Sequence, residues 1–404
     1  MRVWGITGTN GKTTTTWILS EFLKAGYITT VEVNTLRRKF STGYTTPPLP
    51  VLKSIFEEMV ENGVKDCVME VSSHSLILNR IGNIKFDYAV FTNLSHEHLN
   101  THKTMHNYFL TKLKLFKQLK PNGIMIINKD DYYSKFFEKF DNVIFYSIYN
   151  PSDYQAIHIR YYKNHTVFDL KTKDNFYKNL RINRLEEYNI YNVIPAIIIA
   201  IKEGININLL YELLLELPII PGRLEKVPVK AQFDVYIDFA HTPNALLNVL
   251  KSLNRKKKNN LILVCGAAGE KDKTKRPLMG TVATDYADYA IFTSEDPRCE
   301  NPLDIIKQMT KAIDINSSKY EIIINRKDAL AHALKLAKKD DIVLITGKGR
   351  CNITSSLEIS EHIKNIPGNG MFMFSAFKNY TNEDVIQMLE ENGVKVKIER
   401  GNRI

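Results

Sequence analysis

The chain has 404 residues, 44% of them hydrophobic and 25% charged, with a formal net charge of +11. That length supplies the cores of two or three domains, and that composition excludes a disordered chain. No run of 18 apolar residues occurs, and the start lacks a charged segment followed by an apolar stretch and a cleavage site, so a cytoplasmic protein with no membrane partner is expected.

Residues 3–7 read as a short buried strand, residues 8–11 as a glycine-containing turn, and Thr13 onward as a helix with Trp17, Ile18, Phe22 and Leu23 on one face. Strands over 66–71, 86–94, 123–128 and 143–147 extend this first α/β unit, and helices over 188–205 and 208–216 close it. The stretch 217–227, with two prolines and a glycine, marks a domain boundary. Beyond it, strands near 234–238, 261–265, 289–293, 321–324 and 342–346 alternate with helices. The expected architecture is therefore α/β: a P-loop ATPase domain with a mostly parallel sheet over 1–217, followed by a Rossmann-like α/β domain over 218–404.

The charge is spread among asparagines and isoleucines, and the Arg255-Lys256-Lys257-Lys258 run reads as a solvated loop, so no nucleic-acid partner is expected. Cys67, Cys265, Cys299 and Cys351 are far apart with no C-x-x-C, which disfavours a disulfide framework or a zinc ribbon.

Strand, glycine turn and helix together make a phosphate cradle. In TGTNGKTT (7–14) the glycines let backbone N–H groups face phosphate oxygens, Lys12 neutralises the β/γ-phosphates and Thr13 offers a hydroxyl to Mg²⁺. The strict G-x-x-x-x-G-K-[ST] pattern is not met, because Ile6 stands five residues before Gly11. Glu70 ends an apolar strand at the sheet edge where ligands bind in open α/β folds, which suits it to hold Mg²⁺; the alternative is capping of the Ser72 or Ser73 amides. The segment 92–102 brings His96, Glu97, His98 and His102 to the same edge, a density of histidines suited to a metal or a phosphate.

At this point the sequence resembles the Mur ligase family, in particular its MurE type, the UDP-N-acetylmuramoyl-tripeptide synthetases. The matching blocks are TGTNGKTT (7–14), TTP (45–47), EVSSHSL (70–76) with Arg80, FTNLSHEHLNTHKTM (91–105), KLKLF (112–116), YNIYN (188–192), PGRLE (221–225), DFAHTPNAL (238–246), KRPLMG (275–280), EDPRCENP (295–302) and TGKG (346–349). The resemblance implies an ATP-dependent ligase that converts a substrate carboxylate to an acyl phosphate and then joins it to the amine of an amino acid. It further implies that Gly8, Thr9, Asn10, Gly11, Lys12, Thr13 and Thr14 hold the ATP phosphates, that Asn189 and Asn192 lie on the adenine side, and that Arg223 and Asp238 reach ATP from the C-terminal domain. Thr13 and Glu70 would hold one Mg²⁺, and Glu70, His98 and a carbamylated Lys112 a second, with Lys12, Glu70, His98 and Lys112 as the catalytic set. Thr45, Thr46, Ser72 and Arg80 would face the donor, and Asp296, Arg298 and Gly347 the incoming amino acid.

Three departures from the family pattern shape the expectation. The phosphate loop stands at residue 7, where MurE-type enzymes carry a UDP-gripping domain first, so the donor is expected to be a carboxylate-ended peptide, with or without UDP, or one presented by an accessory protein. Asp296 replaces the asparagine of Asp-Asn-Pro-Arg, which favours a cationic amino acid such as lysine or ornithine over diaminopimelate, while Arg298 can still clamp a carboxylate. Gly349-Arg350-Cys351 replaces Gly-His-Glu, removing an anion that meets the distal amine of diaminopimelate. Alternative readings are a poly-amino-acid synthetase with a UDP-free donor and an amidating subunit served by a glutaminase; the scattered cysteines weigh against the latter.

Overall fold

The computed structural model describes residues 1–314 and 319–347. Two compact units divide the chain, Met1–Ile220 and Pro221–Ile404, and the division falls inside the proline- and glycine-containing stretch. No helix of the described residues is long and apolar enough to cross a membrane.

The first unit opens with β1 (Arg2–Thr7), α1 (Lys12–Leu23), β2 (Gly26–Ile28), β3 (Val33–Asn34), β4 (Lys39–Phe40), α2 (Leu49–Glu61), β5 (Asp66–Glu70), α3 (Ser73–Ile77) and β6 (Phe86–Phe91). It continues with α4 (Leu99–His102), α5 (Met105–Phe116), β7 (Leu119–Asn128), a 3₁₀ turn (Tyr132–Phe137) and β8 (Val143–Ser147). β9 (Tyr154–Tyr161), β10 (Thr166–Thr172), β11 (Phe176–Ile182), α6 (Glu187–Lys202) and α7 (Ile207–Leu215) complete it.

The strands form one sheet in the order β11-β10-β9-β8-β7-β6-β1-β5-β2-β3-β4, parallel from β9 through β2 and antiparallel at both flanks. The interiors of β1 (Val3–Ile6) and β5 (Cys67–Met69) are apolar at every position because both of their faces are covered. On one side Trp4, Ile6, Val68 and Val90 meet Ile18 and Phe22 of α1 and the Ile190–Ala200 stretch of α6; on the other, Met69, Ala89 and Phe91 meet α2, α3 and α5. Ile6 pairs with Glu70 and Thr7 with Phe91, so the loops after β1, β5 and β6 leave the sheet at one edge.

The antiparallel extension β9–β11 goes beyond the sequence expectation. It is irregular: His158 and Asn179 take left-handed backbone (φ 51° and 56°), the registers shift beside Asp169, and that carboxylate accepts the Asn179 N–H (2.7 Å) while its other oxygen meets His158 Nδ1 (2.9 Å).

The second unit contains β12 (Glu225–Val227), β13 (Asp234–Asp238), α8 (Pro243–Lys256), β14 (Leu261–Cys265), α9 (Lys275–Tyr286), β15 (Tyr289–Phe292), α10 (Pro302–Thr310), β16 (Tyr320–Ile322), α11 (Arg326–Leu336) and β17 (Ile342–Thr346). Its sheet runs β12-β13-β17-β14-β15-β16 among the described residues, parallel except at β12.

Candidate active site

The phosphate loop takes its shape from the neighbouring strand. At Gly8 (φ 148°) a Cβ would lie 1.9 Å from Thr92 Oγ1, and at Gly11 (φ 88°) it would lie 2.3 Å from Asn192 Oδ1, so no side chain fits at either position. Thr9 N–H donates to the Asn93 carbonyl (2.8 Å), Asn10 N–H to Asn93 Oδ1 (2.9 Å), and Thr92 Oγ1 to the Asn10 carbonyl (2.7 Å). α1 starts at Lys12 with no side-chain cap and no acidic residue in its first turn, so the partial positive charge of its N-terminus meets no neutralising side chain from that turn. Thr13 is buried and Thr14 half-buried in that turn. Lys12 Nζ curls back over the loop to the carbonyls of Gly8 (3.1 Å) and Thr9 (2.8 Å).

A second lysine reaches the same carbonyl. Lys112 Nζ, on α5, donates to Gly8 O at 2.8 Å and lies 4.6 Å from the Tyr108 ring. Lys114, Lys117 and Lys120 are exposed, whereas Lys112 is only 1% exposed. Burial, and then the nearby Lys12 charge, push the Lys112 amine well below the usual lysine range. Tyr108, which sequence reasoning passed over, is the residue four before Lys112 and therefore on the same helix face; it also lies within 3.4 Å of Thr9 Oγ1.

Glu70 is 1% exposed at the end of β5. Its two oxygens accept from the Thr30 N–H (2.9 Å) and the Thr30 hydroxyl (3.3 Å), so Glu70 does not cap the serines after it. The Ser72 N–H goes instead to Thr46 Oγ1 (3.1 Å), and Ser72 Oγ caps α3 by accepting from Ser75 N–H (3.2 Å). Thr46 Oγ1 donates to the Glu70 carbonyl (2.9 Å), Arg80 donates to the Thr46 carbonyl (3.2 Å), and the Thr30 and Thr45 hydroxyls lie within hydrogen-bond distance of each other (2.9 Å). Thr45, Thr46, Ser72 and Arg80, expected to face a donor, therefore gather around the strand end that carries Glu70.

The histidines divide by environment. His98 has left-handed backbone (φ 59°), its ring meets His74 edge-on at 4.9 Å, and its Nδ1 stands 3.9 Å from Glu97 Oε1. His102 is an internal group: Nε2 meets Ser73 Oγ (3.0 Å), Nδ1 meets Thr111 Oγ1 (3.4 Å) and the ring stacks on Tyr108. Burial, reinforced by Lys112, lowers it to about 4, so it is neutral at pH 7. Among the described residues no three His, Cys, Asp or Glu side chains form a ready metal cluster. Glu70 and Thr13 offer hard oxygens suited to Mg²⁺, whereas Lys112 as an amine donates to a carbonyl and suits the ion only as its carbamate.

Asn189 and Asn192 are both buried in the first turns of α6, and the Asn192 carbonyl accepts from Thr15 Oγ1 (3.2 Å), which ties α6 to α1.

In the second unit, Asp238 ends β13 and accepts the N–H groups of Leu224 (2.6 Å) and Ala240 (2.8 Å). Its burial pushes the carboxyl up to about 6 against the pull of Arg223, whose guanidinium lies 4.8 Å from the Phe239 ring. Gly347 (φ 107°) donates its N–H to the Asp238 carbonyl (3.2 Å), and a Cβ there would lie 2.8 Å from Glu295 Cδ. Arg298 stands between two acids, with Nε 3.7 Å from Asp296 Oδ2 and Nη1 3.9 Å from Glu270 Oε2. Beneath that loop the fully buried Arg276 forks onto both Glu300 oxygens (2.8 and 3.0 Å) and reaches Gln308 (2.8 Å). Gly349, Arg350 and Cys351, which stand where the family pattern has Gly-His-Glu, lie outside the described residues.

Known proteins share this sequence and fold. The Mur ligase middle domain family model matches residues 6–200, and the Mur ligase, glutamate ligase domain model matches residues 222–349. An HI0933-like protein Rossmann domain model matches 319–404. The UDP-N-acetylmuramoyl-L-alanyl-D-glutamate--2,6-diaminopimelate ligase 1 of Clostridium acetobutylicum is 39% identical over 361 residues, 87% of this chain and 74% of that protein. A solved UDP-N-acetylmuramoyl-L-alanyl-D-glutamate--2,6-diaminopimelate ligase superposes with a TM-score of 0.59 at 30% identity, over 87% of this chain and 74% of the other. Thermotoga maritima MurF in complex with ADP shares the fold, with a TM-score of 0.66 at 18% identity over 96% and 80% of the two chains. From the phosphate loop to Gly347, sequence and fold agree: the chain belongs to the Mur ligase family of ATP-dependent, amide-bond-forming ligases.

Proposed function

We propose that this ligase adds an amino acid carrying a distal ammonium group to the terminal carboxylate of a muramoyl-dipeptide-like donor. The observation that carries this reading is the convergence of Lys12 and Lys112 on the Gly8 carbonyl, at the uncapped start of α1. Two ammonium groups on one oxygen repel each other, and burial, with the Lys12 charge beside it, lowers the Lys112 amine well below the usual lysine range, which favours its neutral form. A neutral amine is the form that combines with CO₂, releasing a proton and leaving a carbamate anion.

The loop amides from Gly8 to Thr13, with Thr14 behind them and Lys12 above, would then hold the ATP phosphates, and Asn189 and Asn192 the base. Mg²⁺, held by Thr13, Glu70, His98 and the Lys112 carbamate, would offset the phosphate charge. The donor carboxylate, oriented by Thr45, Thr46, Ser72 and Arg80, attacks the γ-phosphorus and releases ADP. The amine of the amino acid then attacks the acyl phosphate, releasing phosphate and a proton. The resemblance assigns Arg223 and Asp238 to ATP, and Arg298 and Gly347 to the amino acid. The relatives are named for a diaminopimelate substrate and supply the muramoyl-peptide donor of this proposal. Asp296 beside Arg298 supports a basic amino acid, because its carboxylate would pair with a distal ammonium.

The test is amino-acid-dependent release of ADP and phosphate, with Mg²⁺ and bicarbonate, across carboxylate donors with and without UDP. Turnover with a UDP-muramoyl dipeptide and lysine or ornithine, abolished by Lys12→Ala, is expected. ATP hydrolysis independent of any amino acid, or retained in Lys12→Ala, would overturn the proposal.

A further inference from the structure

The end of β7 carries a junction that none of the expected site residues includes. Asp130 Oδ2 accepts the backbone N–H groups of Ile148 (2.6 Å) and Tyr149 (3.0 Å) and the Tyr191 hydroxyl (2.7 Å). Asp130 Oδ1 accepts the Asn150 N–H (2.9 Å) and the Asn150 side-chain amide (2.7 Å). Tyr149 OH in turn donates to Glu187 in the first turn of α6 (2.6 Å). A closed circuit results: Asp130, the loop after β8, Tyr149, Glu187, α6, Tyr191 and back to Asp130. Although burial opposes ionisation, these donors hold the Asp130 carboxyl below the usual aspartate range, so it accepts at both oxygens at neutral pH.

Tyr191 lies between Asn189 and Asn192, and Pro195 has no N–H to give to the Tyr191 carbonyl in the helix ladder. The turn that carries both asparagines is thus short of one helical bond and held by a side chain instead. The neighbouring Asp131 does the same for the phosphate side, accepting the N–H of Leu94 (2.6 Å) two residues after Thr92.

We propose that Asp130 is a positioning residue that fixes, through Tyr191 and the loop after β8, the angle at which Asn189 and Asn192 meet the nucleotide base. This rests on the reading that those asparagines face the base. An asparagine amide distinguishes adenine from guanine by accepting from one exocyclic group and donating to a ring nitrogen, which works only in a fixed orientation. Loosening the turn therefore erodes base preference and leaves phosphate binding intact.

The experiment is calorimetric binding of ADP, GDP and inorganic tripolyphosphate, without turnover, to the full chain and to Asp130→Asn, Tyr191→Phe and Asn192→Ala. Expected is an ADP-over-GDP preference about tenfold smaller in Asp130→Asn, which is the loss of roughly one well-made hydrogen bond. Tyr191→Phe should fall in the same direction, with tripolyphosphate affinity unchanged in both. Tyr191→Phe deletes one hydroxyl and decides the matter if Asp130→Asn fails to fold. An unaltered preference in both variants, while Asn192→Ala narrows it, would overturn the positioning role and spare the base reading. A parallel loss of tripolyphosphate binding would reduce Asp130 to a purely structural part. Unaltered preference in Asn192→Ala would remove the base reading, and this inference with it.

Discussion

The loop after β1 and the loop at 295–300, which we propose to hold ATP and the amino acid, are built in opposite ways. The first is held by backbone amides, a neighbouring strand and two glycines that admit no side chain, with its lysines folded onto carbonyls. The second presents Asp296 and Arg298 with 45% and 38% of their side chains exposed, separated by 3.7 Å, over a floor fixed by buried Arg276. A site for the invariant part of a reaction can be rigid down to its main chain. A site that chooses among amino acids can keep its choice in a few side chains that change without disturbing the fold.

That contrast can be broken at three points. Gly8→Ala forces a Cβ to within 1.9 Å of Thr92 Oγ1, and strain plus overpacking are expected to cost about 4 kcal/mol, seen as a roughly thousandfold fall in kcat/KM for ATP. Near-normal kinetics would mean that the loop is not rigid. Next in size is Asp238, whose folded carboxyl is raised to about 6 from 3.8. A raised folded value means that the folded chain holds the proton more tightly. Its stabilising contribution is therefore complete below about pH 4 and lost as pH rises through 6, a swing on the order of 3 kcal/mol. Denaturation midpoints from pH 4 to 7 should carry this slope in the native chain and lack it in Asp238→Asn; equal slopes would contradict the burial assigned to the group. The smallest effect belongs to Asp296→Asn, which should shift the ratio of kcat/KM for lysine against diaminopimelate by about threefold towards diaminopimelate, the scale of one exposed ion pair. An unchanged ratio would move the choice to another part of the loop.

The central parallel strands were legible because burial on both faces writes them as apolar runs, as in Cys67–Met69 and Leu261–Cys265. The phosphate loop was legible for a related reason: a glycine turn between strand and helix has few other uses. β9–β11 was not, because its strands mix exposed charged and aromatic residues with buried ones and their alternation is interrupted at His158 and Asn179. Among the candidate residues, Glu70 and Lys12 carry a signal in residue type and position, whereas Lys112 stands out from its neighbouring lysines only through the family resemblance. What could not be read was the partner of each: Thr30 for Glu70, and the loop carbonyls of Gly8 and Thr9 for Lys12, with Gly8 O again for Lys112. The Glu70 and Lys112 pairs span long separations and depend on which loops the sheet order brings together. His102 looked like a ligand in a histidine-rich segment, and its contacts with Ser73, Thr111 and Tyr108 make it part of the packing.

The bulged flank of the large sheet bears on how this chain behaves at high concentration. β11 is the last strand at that end, and an outer strand with open N–H and C=O groups invites another molecule to add on. The left-handed residue Asn179, pinned by Asp169, breaks the straight run of those groups, while exposed Lys178 and Arg181 put like charges wherever two such edges would meet. The same irregularity that hid these strands from the sequence pattern makes them a poor template for edge-to-edge pairing.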